Sequence, residues 1–430
     1  MRTFGEEIEI SAVGRFDAVI RVPGSKSLTN RALLLAAMAR GATRITGALF
    51  ADDTRAMVQA LRQLGFDVVT DEHSSSIVVE GRGGAIPAHQ ADLFADGAGT
   101  VMRFLAGFLT LGKGRYRLDG NSRMRQRPIG PMVAALQSLG LRVSFEGIPG
   151  YPPIVVEAGP DSFRGGSCTI NAAISSQFVS GLLLPAPLWR DGLRLTVTQA
   201  AAQPFIWMTV ALMRQWGAQV DYLGQLVSVP GGQNYKSAGR FEIEPDASNA
   251  SYFAAAAALC GGRVRLPGVF IGQSVQGDVA FLKILEKMGA KVRQYEQGTE
   301  ISGTGSLCGV DVDMSSIPDM VATLAALAPF ASTPTTIRNV GFIRHHESDR
   351  LAAIGQELRR LGAVVFERED GLYIEPSKLT PRQAVETYND HRIAMAFAVA
   401  GLKLGGLRLK NPACVTKTYP TFFDDLASLA

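Results

Sequence analysis

Six short stretches of the 430-residue chain gather side chains that can hold an oxyanion or move a proton. In PGSKSLTNR, residues 23–31, Lys26 follows a Pro-Gly break, and Ser27 and Arg31 stand four residues apart. GAGTVMR (97–103) is a glycine turn containing Gly99, and RMRQRPIG (123–130) spaces Arg123, Arg125 and Arg127 by two before Pro128. HHESDR (345–350) and NDHRIAM (389–395) set histidine, carboxylate and arginine side by side, and TKTYP (416–420) adds Lys417. Arginine suits bidentate contact with phosphate or carboxylate, and lysine acts as a point charge. Carboxylates and imidazoles beside them can take or give a proton. The chemistry expected is that of an anionic, phosphorylated substrate.

These residues need elements to hold them. Val19 to Val22 read as a strand, Pro23-Gly24 as a break, and Ser25 onward as a helix with Leu28, Ala32, Leu33 and Leu35 at helical spacing. Lys26 and Ser27 then sit at a helix N-terminus, where unpaired N–H groups and the dipole favour an anion. Ser27 and Arg31 share a face of that helix. By itself the pattern is also that of an ordinary capped helix with a solvated lysine. A nucleotide P-loop does not fit, because the first glycine of its pattern is missing. GAGTVMR reads as a second turn into a helix, and the three arginines of RMRQRPIG as a strand or turn with alternate residues facing the same way. HHESDR and NDHRIAM read as helix starts.

One pattern recurs through the chain: an amphipathic helix end, a glycine, and a strand start. It reads ALRQLGFDV, ALQSLGLRV, LMRQWGAQV, ILEKMGAKV and ELRRLGAVV around Gly65, Gly140, Gly217, Gly289 and Gly362, at intervals of 72 to 77 residues. DDLASLA at the end resembles a sixth such helix without its glycine. Each glycine fits the left-handed position that closes a helix. Six helix-plus-strand units define an α/β class and, at three units each, two similar domains. FEIEPDASNASYFAAAAAL (241–259) repeats the strand, Pro and capped-helix order of the Lys26 region. The chain therefore crosses between domains near 20–24 and again near 243–246. The expected division is 1–22 with 245–430, and an inserted domain 23–244, with the ligand site in the cleft between them.

Composition narrows the function. The residues are 47% apolar and 19% charged, which is globular rather than disordered. A net charge of +4 does not argue for nucleic acid. No apolar run reaches the roughly 18 residues of a membrane span, and the N-terminus is not a signal peptide, so a cytoplasmic protein is expected. Cys168, Cys260, Cys308 and Cys414 stand far apart, which argues against a metal site or a disulfide framework.

PGSKSLTNRALLLAA, DDTRAM, GAGTVMR, RMRQRPIG, ISSQF, DASNASYF, ESDRL, NDHRIAM and TKTYP, in this order, resemble the enolpyruvyl transferases over the whole chain. The resemblance is strongest to the branch whose acceptor is shikimate 3-phosphate. The branch acting on UDP-N-acetylglucosamine fits less well, because it carries a reactive cysteine in the first domain and here no cysteine precedes Cys168.

The resemblance implies two domains, each of three βαβαββ-type units, closing on substrates, and a monomer with neither metal nor organic cofactor. The reaction implied adds an acceptor hydroxyl to C2 of phosphoenolpyruvate, protonates C3 and expels phosphate. Lys26, Gly99, Arg123, Gln177, Arg350, Arg392 and Lys417 match phosphoenolpyruvate contacts. Ser27, Arg31, Ser175, Ser176, Gln177, Asp319 and His346 match acceptor contacts. Lys26, Asp319, Glu347 and His391 match the catalytic set.

Departures cluster on the acceptor side. His346 replaces a usual lysine, Ala202 a serine and Phe205 a tyrosine, and Gly97 replaces an asparagine in the glycine turn. A protonated His346 could still hold a phosphate. Two other readings stay open: transfer to another hydroxyl, such as that of a nucleotide or a modified cyclitol, and a non-catalytic paralogue that binds anions.

Overall fold

The structure, a computed structural model, describes residues 5–159 and 163–430. The chain forms two compact units, Met1–Pro23 with Glu244–Ala430, and Gly24–Ile243. Among the described residues no helix is long and apolar enough to cross a membrane.

In the unit Gly24–Ile243 the strands form three four-stranded sheets of one design. Their orders are Arg240–Glu242, Arg40–Thr46, Ser76–Arg82, Val68–Asp71; Gln90–Phe94, Gly114–Asp119, Ile154–Ala158, Arg142–Phe145; and Gly166–Ala172, Leu193–Ala200, Leu226–Val229, Asp221–Leu223. In each, the first pair is parallel and the other two are antiparallel. Two sheets of the other unit follow the same plan, one beginning with Asp17–Val19 beside Arg263–Pro267, the other with Asp311–Asp313 beside Thr335–Arg338. The sixth repeat is completed differently. Leu407–Lys410 pairs antiparallel with Glu7–Ile10, in register Glu7↔Lys410, and bridges in parallel to Val385.

Two strands are also exchanged relative to the order in sequence. Asp17–Val19 precedes the helix Lys26–Met38 but pairs in the sheet of Arg263–Pro267. Arg240–Glu242 precedes the helix Ala247–Cys260 but pairs with Arg40–Thr46. The expected strand Val19 to Val22 is correspondingly shorter and earlier, since the chain leaves its sheet before Pro23 removes a donor.

Each repeat contributes two kinds of helix. Lys26–Met38, Gly99–Phe108 and Gln177–Leu183 in one unit, and Ala247–Cys260, Val321–Leu327 and His391–Leu404 in the other, are buried along almost their whole length. Alanine and glycine let them pack closely: a Cβ at Gly107 would lie 1.9 Å from the Gly181 carbonyl oxygen. Asp52–Gln63, Gly130–Ser138, Pro204–Gln215, Phe281–Lys287 and Arg350–Arg360 are half-buried, and each ends in a repeat glycine. Those glycines have φ of +88°, +93°, +86°, +109° and +99°. Around Gly65 the Phe66 N–H donates to Leu61 O and the Gly65 N–H to Arg62 O, both at 3.0 Å. This satisfies the last carbonyls of the helix and turns the chain into its hairpin.

Candidate active site

Lys26, Ser27, Gly99, Gln177, His391 and Arg392 lie at the starts of the buried helices, where N–H groups lack partners within the helix. In the unit Gly24–Ile243, Ser25 caps the first helix with its side chain. Lys26 pairs with buried Asp53 at 3.1 Å, an acid at the start of Asp52–Gln63 that was quoted only within DDTRAM. Gly99 opens the second helix. A Cβ there would stand 2.7 Å from Arg127 Nη2 and 3.0 Å from Arg103 Nη1, so glycine lets two guanidinium groups reach that helix start. Gln177 opens the third, its backbone N–H held by Ser175 Oγ at 3.2 Å and its Nε2 donating to Thr100 Oγ1 at 3.3 Å. Ser176 beside it is buried.

Arg31 knits these helices together. It is 2% exposed and donates to Thr209 Oγ1 (2.8 Å), Ser27 O (2.9 Å), Phe205 O (3.1 Å) and Ser180 Oγ (3.4 Å), with its guanidinium 4.9 Å from the Phe104 ring centre. All four acceptors are neutral, and burial pulls the group down to about 9. Two departures meet it: Phe205 supplies a carbonyl, and Ala202, at φ +50°, receives the Phe205 N–H.

The arginines of RMRQRPIG do not share a face. Met124–Gln126 is a single 3-10 turn, so the alternation of a strand is lost. Arg123 donates to Gln126 Oε1 (3.4 Å), Arg125 pairs with Asp119 (2.6 Å), and buried Arg127 donates to Gly97 O (3.2 Å).

In the other unit the charged residues form a chain of alternating sign. Lys417 Nζ meets Glu347 Oε1 at 3.1 Å, and Glu347 Oε2 meets Arg350 Nη2 at 2.9 Å. Arg350 Nη1 meets Asp319 Oδ1 at 2.9 Å, and Asp319 Oδ2 meets Arg392 Nη2 at 2.8 Å. Both candidate acid–base carboxylates are thus gripped by two cations each. Sequence reasoning assigned no role to Asp390, which is fully buried. It accepts from Arg350 Nε (2.8 Å) and Ser348 Oγ (3.0 Å), and caps the helix His391–Leu404 through the Arg392 N–H. Tyr252 OH, 3.3 Å from Arg392 Nη1, was missed as well. The available signal was the D-H-R order at a helix start, which marks Asp390 as a cap. Desolvation opposes the charge of Arg350, but Asp390, Glu347 and Asp319 outweigh it and hold the guanidinium above its ordinary value. The same opposition, with Asp319 strongest among the carboxylates, raises Arg392.

His346 Nδ1 lies 3.2 Å from Arg350 Nη1. A guanidinium only donates, so in this contact the imidazole nitrogen accepts. His391 is buried, with Nδ1 3.9 Å from Asp390 Oδ1.

Comparison with known proteins places the whole chain in one family. The profile of the family described as EPSP synthase (3-phosphoshikimate 1-carboxyvinyltransferase) matches residues 10–426. The 3-phosphoshikimate 1-carboxyvinyltransferase of Nostoc punctiforme is 47% identical over 97% of this chain and 98% of its own. That of a Marinomonas species is 42% identical over 98% and 99%. Among solved structures, EPSP synthase from Acinetobacter baumannii superposes with a TM-score of 0.81 at 27% identity, over 99% of this chain and 98% of that one. The chain belongs to the EPSP synthase family of enzymes.

Proposed function

We propose that this chain transfers the carboxyvinyl group of phosphoenolpyruvate to a hydroxyl of shikimate 3-phosphate and releases phosphate, a step of the shikimate pathway to aromatic amino acids. The observation that carries the reading is the chain Lys417–Glu347–Arg350–Asp319–Arg392. Two carboxylates held in fixed geometry by three cations suit a reaction that moves protons on an anion.

In this reading Lys26, Gly99, Arg123, Gln177, Arg350, Arg392 and Lys417 bind phosphoenolpyruvate. Ser27, Arg31, Ser175, Ser176, Gln177, Asp319 and His346 bind the acceptor. The acceptor oxygen attacks C2 as one carboxylate takes its proton, and C3 gains a proton. The C2–O bond to phosphate then breaks as the C3 proton leaves. Asp319 and Glu347 are assigned these transfers, with His391 beside them. The residues of both units lie on one polypeptide, which supports a working monomer, and we place it in the cytoplasm.

Incubation with phosphoenolpyruvate and shikimate 3-phosphate, without added metal, should release inorganic phosphate. Release only with a different hydroxyl acceptor would overturn the substrate assignment; no release with any acceptor would overturn the activity.

A further inference from the structure

Glu357 lies near the end of the helix that Arg350 begins, and is 1% exposed. Its Oε1 accepts from Tyr388 OH at 2.8 Å, its Oε2 from the Glu386 N–H at 3.1 Å, and both from Arg360 Nη1 at 2.9 Å. Arg360 in turn donates through Nη2 to Gln383 Oε1 at 2.9 Å and to Ala384 O at 3.3 Å. A buried ion pair is weak evidence of stability by itself, but this one directs its remaining contacts to a single neighbouring segment, residues 383–388.

That segment is bound to the same helix at its other end. Asp390 accepts from Arg350 Nε at 2.8 Å, and its N–H donates to Thr387 O at 2.8 Å. Between the two anchors stand Tyr388 and Asn389, at φ +55° and +53°. Consecutive non-glycine residues in the left-handed region are disfavoured and persist only where their surroundings hold them. The Tyr388 ring is 36% exposed, so its hydroxyl rather than its packing ties it down. The chain then enters the helix His391–Leu404, whose Arg392 holds Asp319 through Nη2 at 2.8 Å. Contacts and chain together run without a gap from Glu357 through Tyr388, Asn389 and Asp390 to Arg392.

Building on the function proposed above, we propose that Glu357 is a positioning residue. Through the Tyr388 hydroxyl it holds the left-handed turn at 388 and 389, and with it the placement of Arg392 against phosphoenolpyruvate and Asp319.

Tyr388→Phe removes that hydroxyl alone and leaves Glu357 with Arg360 and the Glu386 N–H, so the variant should fold. Its kcat/KM for phosphoenolpyruvate should fall roughly tenfold, while the Michaelis constant for shikimate 3-phosphate changes by less than about twofold. Glu357→Gln leaves one oxygen to serve two donors and should show the same loss on the same substrate. Both changes break one contact, so the double variant should lose little more than the worse single one. Amide exchange, which needs no turnover, should quicken at Glu386 and Asp390 in Tyr388→Phe and stay unchanged within Lys26–Met38. A lowered melting temperature with both constants unchanged, equal losses for the two substrates, additive losses in the double variant, or unaltered exchange at Asp390 would each overturn the proposal. Absence of phosphate release from the parent itself would instead count against the function.

Discussion

Arg31 and Arg350 are two arginines, each 2% exposed and each at the heart of one unit, yet their surroundings are opposite. Arg31 is surrounded by hydroxyls, backbone carbonyls and an aromatic face, with no carboxylate in ion-pair reach among the described residues. Arg350 is surrounded by three carboxylates. Burial lowers the first group and carboxylates raise the second. The contrast separates two uses of a buried cation. At Arg31 the charge is met only by neutral groups, whereas at Arg350 it holds three carboxylates in place.

Arg350→Met should show the largest effect, because it leaves Asp390 buried and without its cation. A loss of about 3–5 kcal/mol in urea unfolding is expected, together with loss of phosphate release. Arg31→Met leaves only neutral acceptors behind and should cost about 1–3 kcal/mol. Equal losses would break the comparison.

Arg31→Met should instead be felt by the acceptor. Its Michaelis constant for shikimate 3-phosphate should rise roughly ten- to a hundredfold, the worth of a charge-assisted contact, with a smaller change for phosphoenolpyruvate. In thermal melts shikimate 3-phosphate should stabilise the parent, by about 2.7 kcal/mol at a hundred times its Kd, and stabilise the variant less at the same concentration. A larger change for phosphoenolpyruvate would place Arg31 on the wrong substrate.

Buried Asp278, in the turn Gly277–Ala280, sharpens the contrast from the acidic side. Its folded value, about 7, lies above the ordinary 3.8, so between these pH values the folded state binds the extra proton and stability falls as pH rises. Asp278→Asn removes that penalty. Its stability relative to the parent should grow from pH 4 to pH 7 and level off above; a gain independent of pH would contradict the burial argument.

The smallest effect is expected at His346. His346 Nδ1 lies 3.2 Å from Arg350 Nη1, so a change at this position alters the surroundings of that guanidinium without removing a carboxylate from it. His346→Lys should lower the acceptor constant by roughly two- to fivefold, as a partly exposed ion pair would. An unchanged acceptor constant in His346→Lys would remove this residue from the acceptor's surroundings.

The glycines at 65, 140, 217, 289 and 362 were legible because a left-handed residue after a helix leaves a local mark in sequence. So were the helix starts at Lys26, Gly99 and His391, where caps and turns are written within a few residues. The two crossings of the chain could be read from the repeated strand, Pro and capped-helix order, but the strand partners there and the completion of the sixth sheet could not, since they depend on pairings such as Glu7 with Lys410 that no local pattern records. The site follows the same rule. The residue types around Arg350 could be read from motifs, but the neutral burial of Arg31 is created by Ser180, Phe205 and Thr209 far along the chain.

The pairing of Glu7–Ile10 with Leu407–Lys410 also sets an order of events during synthesis. At about 5–20 residues per second, Glu7–Ile10 waits on the order of tens of seconds for a partner encoded roughly 400 residues later. Asp17–Val19 waits in the same way for Arg263–Pro267, whereas every strand that pairs within Gly24–Ile243 is made before that unit is finished. The inserted unit is therefore able to fold on the ribosome first, while the N-terminal strands are held as unpaired edges. For that interval their protection from aggregation rests on Glu6, Glu7 and Glu9 and on Asp17, the charges that such edges carry.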